Sequence, residues 1–358
     1  MSALGSSPRS TYGNPSQAKV RAHLDALAPY WHPVARVDAL VAGRLLGVTL
    51  LGQNLVLARL DGELTALHGY CRHFQAQLAL GDVALIEGRE HIRCPYHGWS
   101  YGQDGQCRHI PQLPVGKRVP EGARVPRYLT EEAHGLIWVC LADSPAAPLP
   151  AFPEAADPAF RTVPLDEPRQ TSANALRMII GTLDDTHFPW VHEGILGTRD
   201  ACAPPAHAVW RENQTLRCEY HITQPANQTS SDASFGSATQ SIDLTYNNTV
   251  YMPSAMRLVK DGPAGRYVIW LACCPIDAFS TVNFWAFSRN YDLGPARDQG
   301  YASFSQIVRD QDKPIIESQR PALVSPLSAG VSLAMEPADA PVIEYLRWIE
   351  ELELTVPP

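Results

Sequence analysis

Two short motifs constrain this chain more than anything else in it: Cys71-Arg72-His73 and Cys94-Pro95-Tyr96-His97-Gly98-Trp99. Each offers one thiolate and one imidazole, and 20 residues separate His73 from Cys94. Both fall in turns between segments of β character, so two loop tips could pinch a metal centre between them. Two Cys and two His suit a zinc ion, or a [2Fe–2S] cluster with the cysteines on one iron and the histidines on the other. Zinc fingers usually keep like ligands together, whereas here each loop carries one of each. The mixed order favours the two-iron centre, in which each loop feeds both irons. Neutral imidazole in place of anionic thiolate raises the potential of such a centre.

The motifs use two of the eight cysteines in 358 residues. A chain this long does not need a disulfide scaffold to hold a core, and its start has no apolar leader, so a reducing cytoplasmic setting is expected. Cys107, Cys140, Cys202, Cys218, Cys273 and Cys274 are then expected to be inert, mostly buried thiols. The 31 prolines disfavour a bundle of long helices. A net charge of −8 argues against nucleic acid or an anionic membrane as partner. No apolar run is long enough to span a bilayer.

Along the chain, residues 1–16 are rich in Ser, Gly and Pro and read as a disordered tail. Residues 17–145 read as an all-β domain preceded by a helix with Val20, Leu24 and Leu27 on one side. Within it, strands over 54–60 and 63–68 flank Asp61-Gly62, a two-residue hairpin turn, and Asp104-Gly105 marks another. A Pro/Ala-rich stretch over 144–158 forms the boundary. Residues 146–358 read as a second, α+β domain: a helix over 174–188, β stretches at 206–223, 241–259, 266–274 and 281–291, and helices near 297–319 and 339–353.

A second constellation lies in Gly181-Thr182-Leu183-Asp184-Asp185-Thr186-His187-Phe188-Pro189-Trp190-Val191-His192. Asp184 and His187 share a face of a helix, but His187 and His192 are five apart, a poor spacing for one metal. Pro189 is expected to break the helix between them and let His192 swing back. Two histidines plus one carboxylate make the facial triad of non-haem Fe(II) oxygenases, which leaves positions for O2. Asp310, Asp312 and Glu317 are the downstream candidates, and spacing does not choose among them. A redox cluster in the same chain strengthens the reading, since an electron donor needs an acceptor.

At these residues, and over about residues 30–355, the chain resembles the catalytic α subunits of the Rieske non-haem iron oxygenases. The family's Cys-x-His and Cys-x2-His pattern matches Cys71, His73, Cys94 and His97. Its Asp-x2-His-x4-His pattern matches Asp184, His187 and His192. The stretch from Asp312 through Lys-Pro-Ile-Ile-Glu-Ser-Gln-Arg-Pro resembles the family's third-ligand segment and favours Asp312. Trp31-His32-Pro33-Val34 and the late Tyr345-Leu346-Arg347-Trp348 resemble the branch of vanillate O-demethylases, dicamba monooxygenases and methylxanthine N-demethylases.

The resemblance implies an all-β Rieske [2Fe–2S] domain followed by a helix-grip catalytic domain with an antiparallel sheet. It implies a homotrimer without a β subunit, in which the cluster of one chain serves the iron of the next. Asp184 would bridge His187 to the cluster histidine His97 across that interface, with Asp185 a neighbouring polar residue. Two departures stand out: Phe74-Gln75 where many relatives carry a cation, and Ile180-Gly181 where many carry Asn.

The expectation is therefore an oxygenase that activates O2 at mononuclear iron to hydroxylate or oxidatively demethylate an aromatic or heterocyclic small molecule. Its electrons would come from NAD(P)H through a separate reductase, with or without a ferredoxin, because the chain carries no dinucleotide fingerprint. The rivals are a cis-dihydroxylating dioxygenase, a pure Rieske electron-transfer protein and a zinc-stabilised binding module. Tyr246, Asn248 and Asn283 are candidate pocket residues on strands, Asn283 as a polar anchor.

Overall fold

The computed structural model describes residues 15–164, 168–227 and 241–358. The expected tail therefore lies almost wholly outside the described residues. The chain divides into two units, Leu27–Leu149 and Pro150–Pro358, the latter joined by the N-terminal segment up to Ala26.

The Leu27–Leu149 unit is all β. Its strands are β1 (His32–Arg36), β2 (Leu46–Leu50), β3 (Gln53–Leu60), β4 (Glu63–His68), β5 (Asp82–Ile86), β6 (Arg89–Arg93), β7 (Ser100–Tyr101), β8 (Cys107–His109), β9 (Arg127–Ala133) and β10 (Leu136–Cys140). One sheet runs β1-β10-β9-β4-β3-β2 and a smaller one β5-β6-β7-β8, with antiparallel pairing throughout. The Asp61-Gly62 turn joins β3 to β4 as expected. Both residues have positive φ (51° and 86°), the backbone that matches the twist of paired strands. Gly105 closes the β7–β8 turn, and a Cβ there would lie 2.1 Å from the Val125 carbonyl oxygen, so only glycine fits. Val56, Leu60, Leu67, Ile92 and Tyr101 form a core that also takes in Cys71 and Cys94.

The second unit is built on a wide antiparallel sheet in the order β11-β18-β17-β16-β15-β14-β13. The strands are β11 (Arg161–Pro164), β12 (Arg169–Thr171), β13 (Ala208–Glu212), β14 (Thr215–Pro225), β15 (Ser241–Tyr251), β16 (Ala255–Gly262), β17 (Gly265–Pro275) and β18 (Thr281–Arg289), with β12 also pairing β18. The helices are α1 (Gln17–Leu27), α2 (Ala175–Leu183), α3 (Phe188–Val191), α4 (Asp298–Ser318) and α5 (Ala340–Glu351). Helix α2 contacts β17, α4 and α5, and α5 also touches β13 and β14. The whole is α+β, as expected.

Three sequence expectations need correction. The N-terminal helix does not belong with the β domain. Its buried His23 bonds the Leu354 carbonyl (2.9 Å) and the Asn174 side chain (2.9 Å), and Val20 and Leu24 pack on Ala278, Leu323 and Val356. The β stretches at 206–223 and 241–259 are each two strands. The first turns at Asn213-Gln214, both at positive φ, and the second between Tyr251 and Ala255. The helix over 174–188 ends early, at Leu183, where Asp184 turns extended (ψ 131°). Pro189 does not break it. It sits in the first turn of α3, where a missing N–H leaves no bond unmade. No described helix is long and apolar enough to cross a membrane.

Candidate metal centres and the catalytic cavity

The two cysteine-histidine loops are near copies of each other in their hydrogen bonding. Gln75 N–H donates to the Cys71 carbonyl and Gly98 N–H to the Cys94 carbonyl, both at 3.1 Å. Cys71 N–H donates to the Ala76 carbonyl (2.9 Å) and Cys94 N–H to that of Trp99 (2.8 Å). The closing residue of each turn has positive φ, 51° at Gln75 and 73° at Gly98. Matched turns thus present a Cys-His pair from each loop. The cysteines are buried and unbridged while both imidazoles are half-buried, their ring centroids 4.7 Å apart.

Burial raises the Cys71 thiol pKa, and Cys94 lies close enough to raise it further. The Tyr101 hydroxyl, 3.0 Å from Cys71 Sγ, pulls the other way. Two adjoining buried thiols need positive charge nearby to ionise, which a metal supplies. His73 Nδ1 is buried with no hydrogen-bond partner, as expected of an atom kept for a ligand bond. The donor set fits a [2Fe–2S] centre. His73 is stacked between Phe74 (centroids 4.1 Å) and Trp99 (4.6 Å), which gives the departure at Phe74 a structural role in holding the His73 ring.

The second centre gathers around α3. His187 caps its start and His192 its end, so the tight turn brings Nε2 of each within 3.2 Å. Asp312, on α4, places Oδ1 2.9 Å from His192 Nε2 and 3.5 Å from His187 Nε2. Donors about 2.1 Å from one ion at right angles sit roughly 3 Å apart, so the three atoms fit a facial set. Of the open carboxylate candidates only Asp312 does this. Asp310 bonds Arg169 (3.2 Å), and Glu317 accepts from Ser172 N–H (2.8 Å) and Lys313 (2.5 Å).

Each imidazole is also held from behind. His187 Nδ1–H donates to Asp184 Oδ2 (3.0 Å) and His192 Nδ1–H to Gln311 Oε1 (2.8 Å), which leaves both Nε2 lone pairs for a metal. Burial alone would lower the His187 pKa, but the Asp184 bond and charge outweigh it and raise it. The same pair lowers Asp184 despite its burial. Asp185 faces elsewhere and pairs with the buried His207 at 3.0 Å.

The triad lines a cavity walled by Phe188, Leu196, Tyr246, Leu258, Tyr267, Ile269, Trp285 and Phe304. Chains like this one are known in two pieces and as a whole. Residues 30–128 match the Rieske [2Fe-2S] domain and residues 171–355 the vanillate O-demethylase oxygenase C-terminal domain. Methylxanthine N1-demethylase NdmA of Pseudomonas putida is 32% identical over 94% of this chain and 92% of its own.

The chain belongs to the Rieske oxygenases, as a catalytic α subunit.

Methylxanthine N3-demethylase NdmB of the same organism is 29% identical over 92% of the oxygenase chain and 90% of its own. The solved structure of Pseudomonas putida NdmA with caffeine superposes with a TM-score of 0.79 at 30% identity, covering 92% of each chain. Dicamba monooxygenase bound to dicamba shares the fold, with a TM-score of 0.72 at 24% identity over 91% of this chain and 97% of that one. Rieske oxygenases use a [2Fe–2S] cluster, mononuclear iron and O2, with electrons from a reductase.

In this oxygenase the expected pocket residues separate. Tyr246 lines the triad cavity, its hydroxyl donating to Gln224 Oε1 at 2.9 Å. Asn283 is buried and donates to Thr171 Oγ1 (3.0 Å). It lines an adjoining cavity that also reaches Asp312 and Trp285. Asn248 is buried and lines neither. Gly181 also faces the triad cavity, and a Cβ there would meet Ile316 Cδ1 at 2.8 Å, so the small residue admits α4. The sequence reading missed Gln311, His207 and Lys260, the last a buried lysine in the cavity wall. Among the remaining cysteines, Cys107, Cys140, Cys218, Cys273 and Cys274 are buried free thiols raised by burial, to about 12 at Cys218 and Cys274. Cys202 is exposed.

Proposed function

We propose that this chain is the terminal oxygenase that hydroxylates or oxidatively demethylates a small aromatic or heterocyclic compound. In this reading Cys71, His73, Cys94 and His97 hold the [2Fe–2S] cluster, and His187, His192 and Asp312 hold the mononuclear iron. The observation that carries it is the close triangle of His187, His192 and Asp312 donor atoms inside an aromatic-walled cavity. Iron bound there supplies O2 activation; the rest belongs to the protein. Asp184 and Gln311 fix the two imidazoles with Nε2 toward the ion. Phe188, Tyr246, Tyr267 and Trp285 exclude water and give a flat ring faces to lie against. Relatives named as N-demethylases that match almost end to end support demethylation over dihydroxylation.

The reading extends to a cytoplasmic homotrimer fed by an NAD(P)H-dependent reductase, with or without a ferredoxin. Asp184 then links His187 to His97 of a neighbouring copy. Support for Asp184 is its bond to His187 and its half-buried side chain. Asn283 remains a candidate for a polar anchor through the adjoining cavity. The test is metal and sulfide content with product analysis on a surrogate reductase. About three irons and two sulfides per chain are expected, with formaldehyde released from methylated ring compounds. Zinc without sulfide sinks the reading, and diol products without formaldehyde turn it to the dioxygenase. Light scattering settles the trimer.

A further inference from the structure

A second cavity lies in the same unit as the triad but shares no lining residue with the triad cavity. Its volume is about 750 Å³, within the range of small-molecule sites. Val20 and Leu24 of α1, with Phe279 and Ile316, give it apolar walls. Arg21, Arg177 and Arg320 bring three positive charges to it, against one negative charge from Glu317. Two of these four are already matched. Arg21 pairs with Asp25 one turn along α1 (2.9 Å). Glu317 accepts from Lys313 (2.5 Å) and Ser172 N–H (2.8 Å), and Lys313 above all holds its carboxyl below the usual carboxylate range.

Arg177 and Arg320 remain. Arg177 is half-buried on α2 and donates to Gln319 Oε1 (3.4 Å) and the Pro321 carbonyl (2.6 Å), both neutral. Its Nε is buried with no hydrogen-bond partner. Arg320 donates to the Glu317 (3.0 Å) and Gln319 (2.8 Å) carbonyls, again neutral. Among the described residues neither guanidinium forms an ion pair. The fold treats its other sheltered arginines differently. Arg289 meets Asp298 at 2.8 Å, Arg211 meets Glu344 at 2.6 Å, and Arg257 meets Glu154. Burial first, and then the neighbouring Arg320 charge, bring the Arg177 pKa down to about 10. Two cations that oppose each other in a sheltered cavity are relieved by an anion between them. The apolar walls beside them require that this anion carry an apolar body.

We propose that this cavity is a second ligand site, separate from the catalytic one, for a small organic anion: a carboxylate on a short apolar body, with Arg177 and Arg320 at the carboxylate and Phe279 and Ile316 along the body. Guanidinium forks match the two oxygens of a carboxylate, which a neutral amide cannot replace. The site does not depend on the oxygenase reading. Its occupant touches α1, α2 and the end of α4, the helix that carries Asp312. Binding therefore stabilises the elements around the triad by linkage to the folded state.

The test titrates the full, metal-loaded chain with octanoate, octanamide and inorganic phosphate by calorimetry. Octanamide has the body without the charge, and phosphate the charge without the body. The wild type should bind octanoate about 10-fold or more tightly than either, and its Tm should rise with octanoate. Arg177→Gln and Arg320→Gln should each remove most of the preference over octanamide. Phe279→Ala should weaken octanoate and octanamide together, by about 3-fold or more. Arg320 and Phe279 are exposed, so their variants should fold, and they decide the matter if Arg177→Gln does not. The cluster absorbance reports that each variant is folded. Octanoate that does not bind, or binds no better than octanamide, overturns the proposal. So does phosphate that binds as tightly as octanoate. Octanoate affinity unchanged in Arg320→Gln places the ligand in another cavity and overturns it as well.

Discussion

The two candidate metal centres are assembled in opposite ways. The cysteine-histidine loops are local: the residues from Cys71 to His97 fold as two matched turns on neighbouring hairpins, each closed by its own backbone. The triad is composite. Two candidate donors, His187 and His192, cap a single short helix, while Asp312 and the partner Gln311 arrive from α4, Gln311 being 119 positions from the histidine it orients. A local site is fixed when its loops fold. A composite one depends on the packing of α4 against α2, where Gly181 meets Ile316. The first arrangement suits a centre that only passes electrons. The second leaves a cavity beside the metal, which chemistry on a substrate requires.

The sharpest break of this comparison is removal of one ligand from each side. His187→Ala or Asp312→Ala should drop iron from about three to about two per chain, keep the reduced cluster's EPR signal and cut product by about 10³-fold or more. Cys94→Ala should do the converse to the cluster and also weaken the β unit, since Cys94 lies in its core. Turnover retained in Asp312→Ala would dismantle the triad.

The same contrast decided what could be read in advance. Spacing exposed Cys71, His73, Cys94 and His97 because local turns write themselves into local sequence. The Asp61-Gly62 hairpin was legible for the same reason. Asp312 was not: spacing left it level with Asp310 and Glu317, and only family resemblance favoured it. The geometry separates them because Arg169 and Lys313 occupy the other two. Pro189 misled because a proline that starts a helix and one that ends a helix look alike in a string. The bond from Asn283 to Thr171 was not legible, because it forms only where β12 folds onto β18, a pairing no periodicity reveals. Lys260 sits in a strand with Arg257 and Asp261 beside it, and nothing local says which of the three is buried.

A smaller effect sharpens the division within the triad. Asp184→Asn and Gln311→Leu should each weaken iron retention about 10- to 100-fold, measured by chelator competition. The two should differ in kind. Asp184 carries charge that raises His187, so its loss lowers ligand basicity, whereas Gln311 only orients His192. Gln311→Glu should therefore hold iron more tightly than wild type. Equal or weaker retention would mean that orientation alone matters at both positions.

Acid should reach the β unit through His32. It is fully buried, its Nε2–H donates to the Leu27 carbonyl (2.9 Å), and burial brings its pKa down to about 4. The folded pKa lies below the unfolded value of about 6.5, so the neutral ring's stability is present above pH 6.5 and lost as pH falls toward 4. At pH 5 the loss is about 2 kcal/mol. His32→Asn should flatten that part of the pH dependence in urea unfolding, and an unchanged slope between pH 7 and 5 would refute it.

The finest test bears on how a local site is tuned without a second element. Tyr101 lies on β7, accepts from Arg72 N–H at 3.1 Å and reaches Cys71 Sγ at 3.0 Å. Its hydroxyl is committed as an acceptor to the backbone, so its proton is directed at the sulfur. A hydrogen bond to a ligand sulfur stabilises the more negative, reduced state of a cluster and raises its potential. Tyr101→Phe should lower the midpoint by tens of millivolts, about 59 mV for each tenfold change in a one-electron equilibrium. The ring stays to fill the core, so iron content and fold should hold. The triad offers no such single-bond control, since each of its outer partners also fixes a ligand's position. A Tyr101→Phe variant that loses iron instead of shifting in potential would place the hydroxyl among the structural supports and erase that distinction.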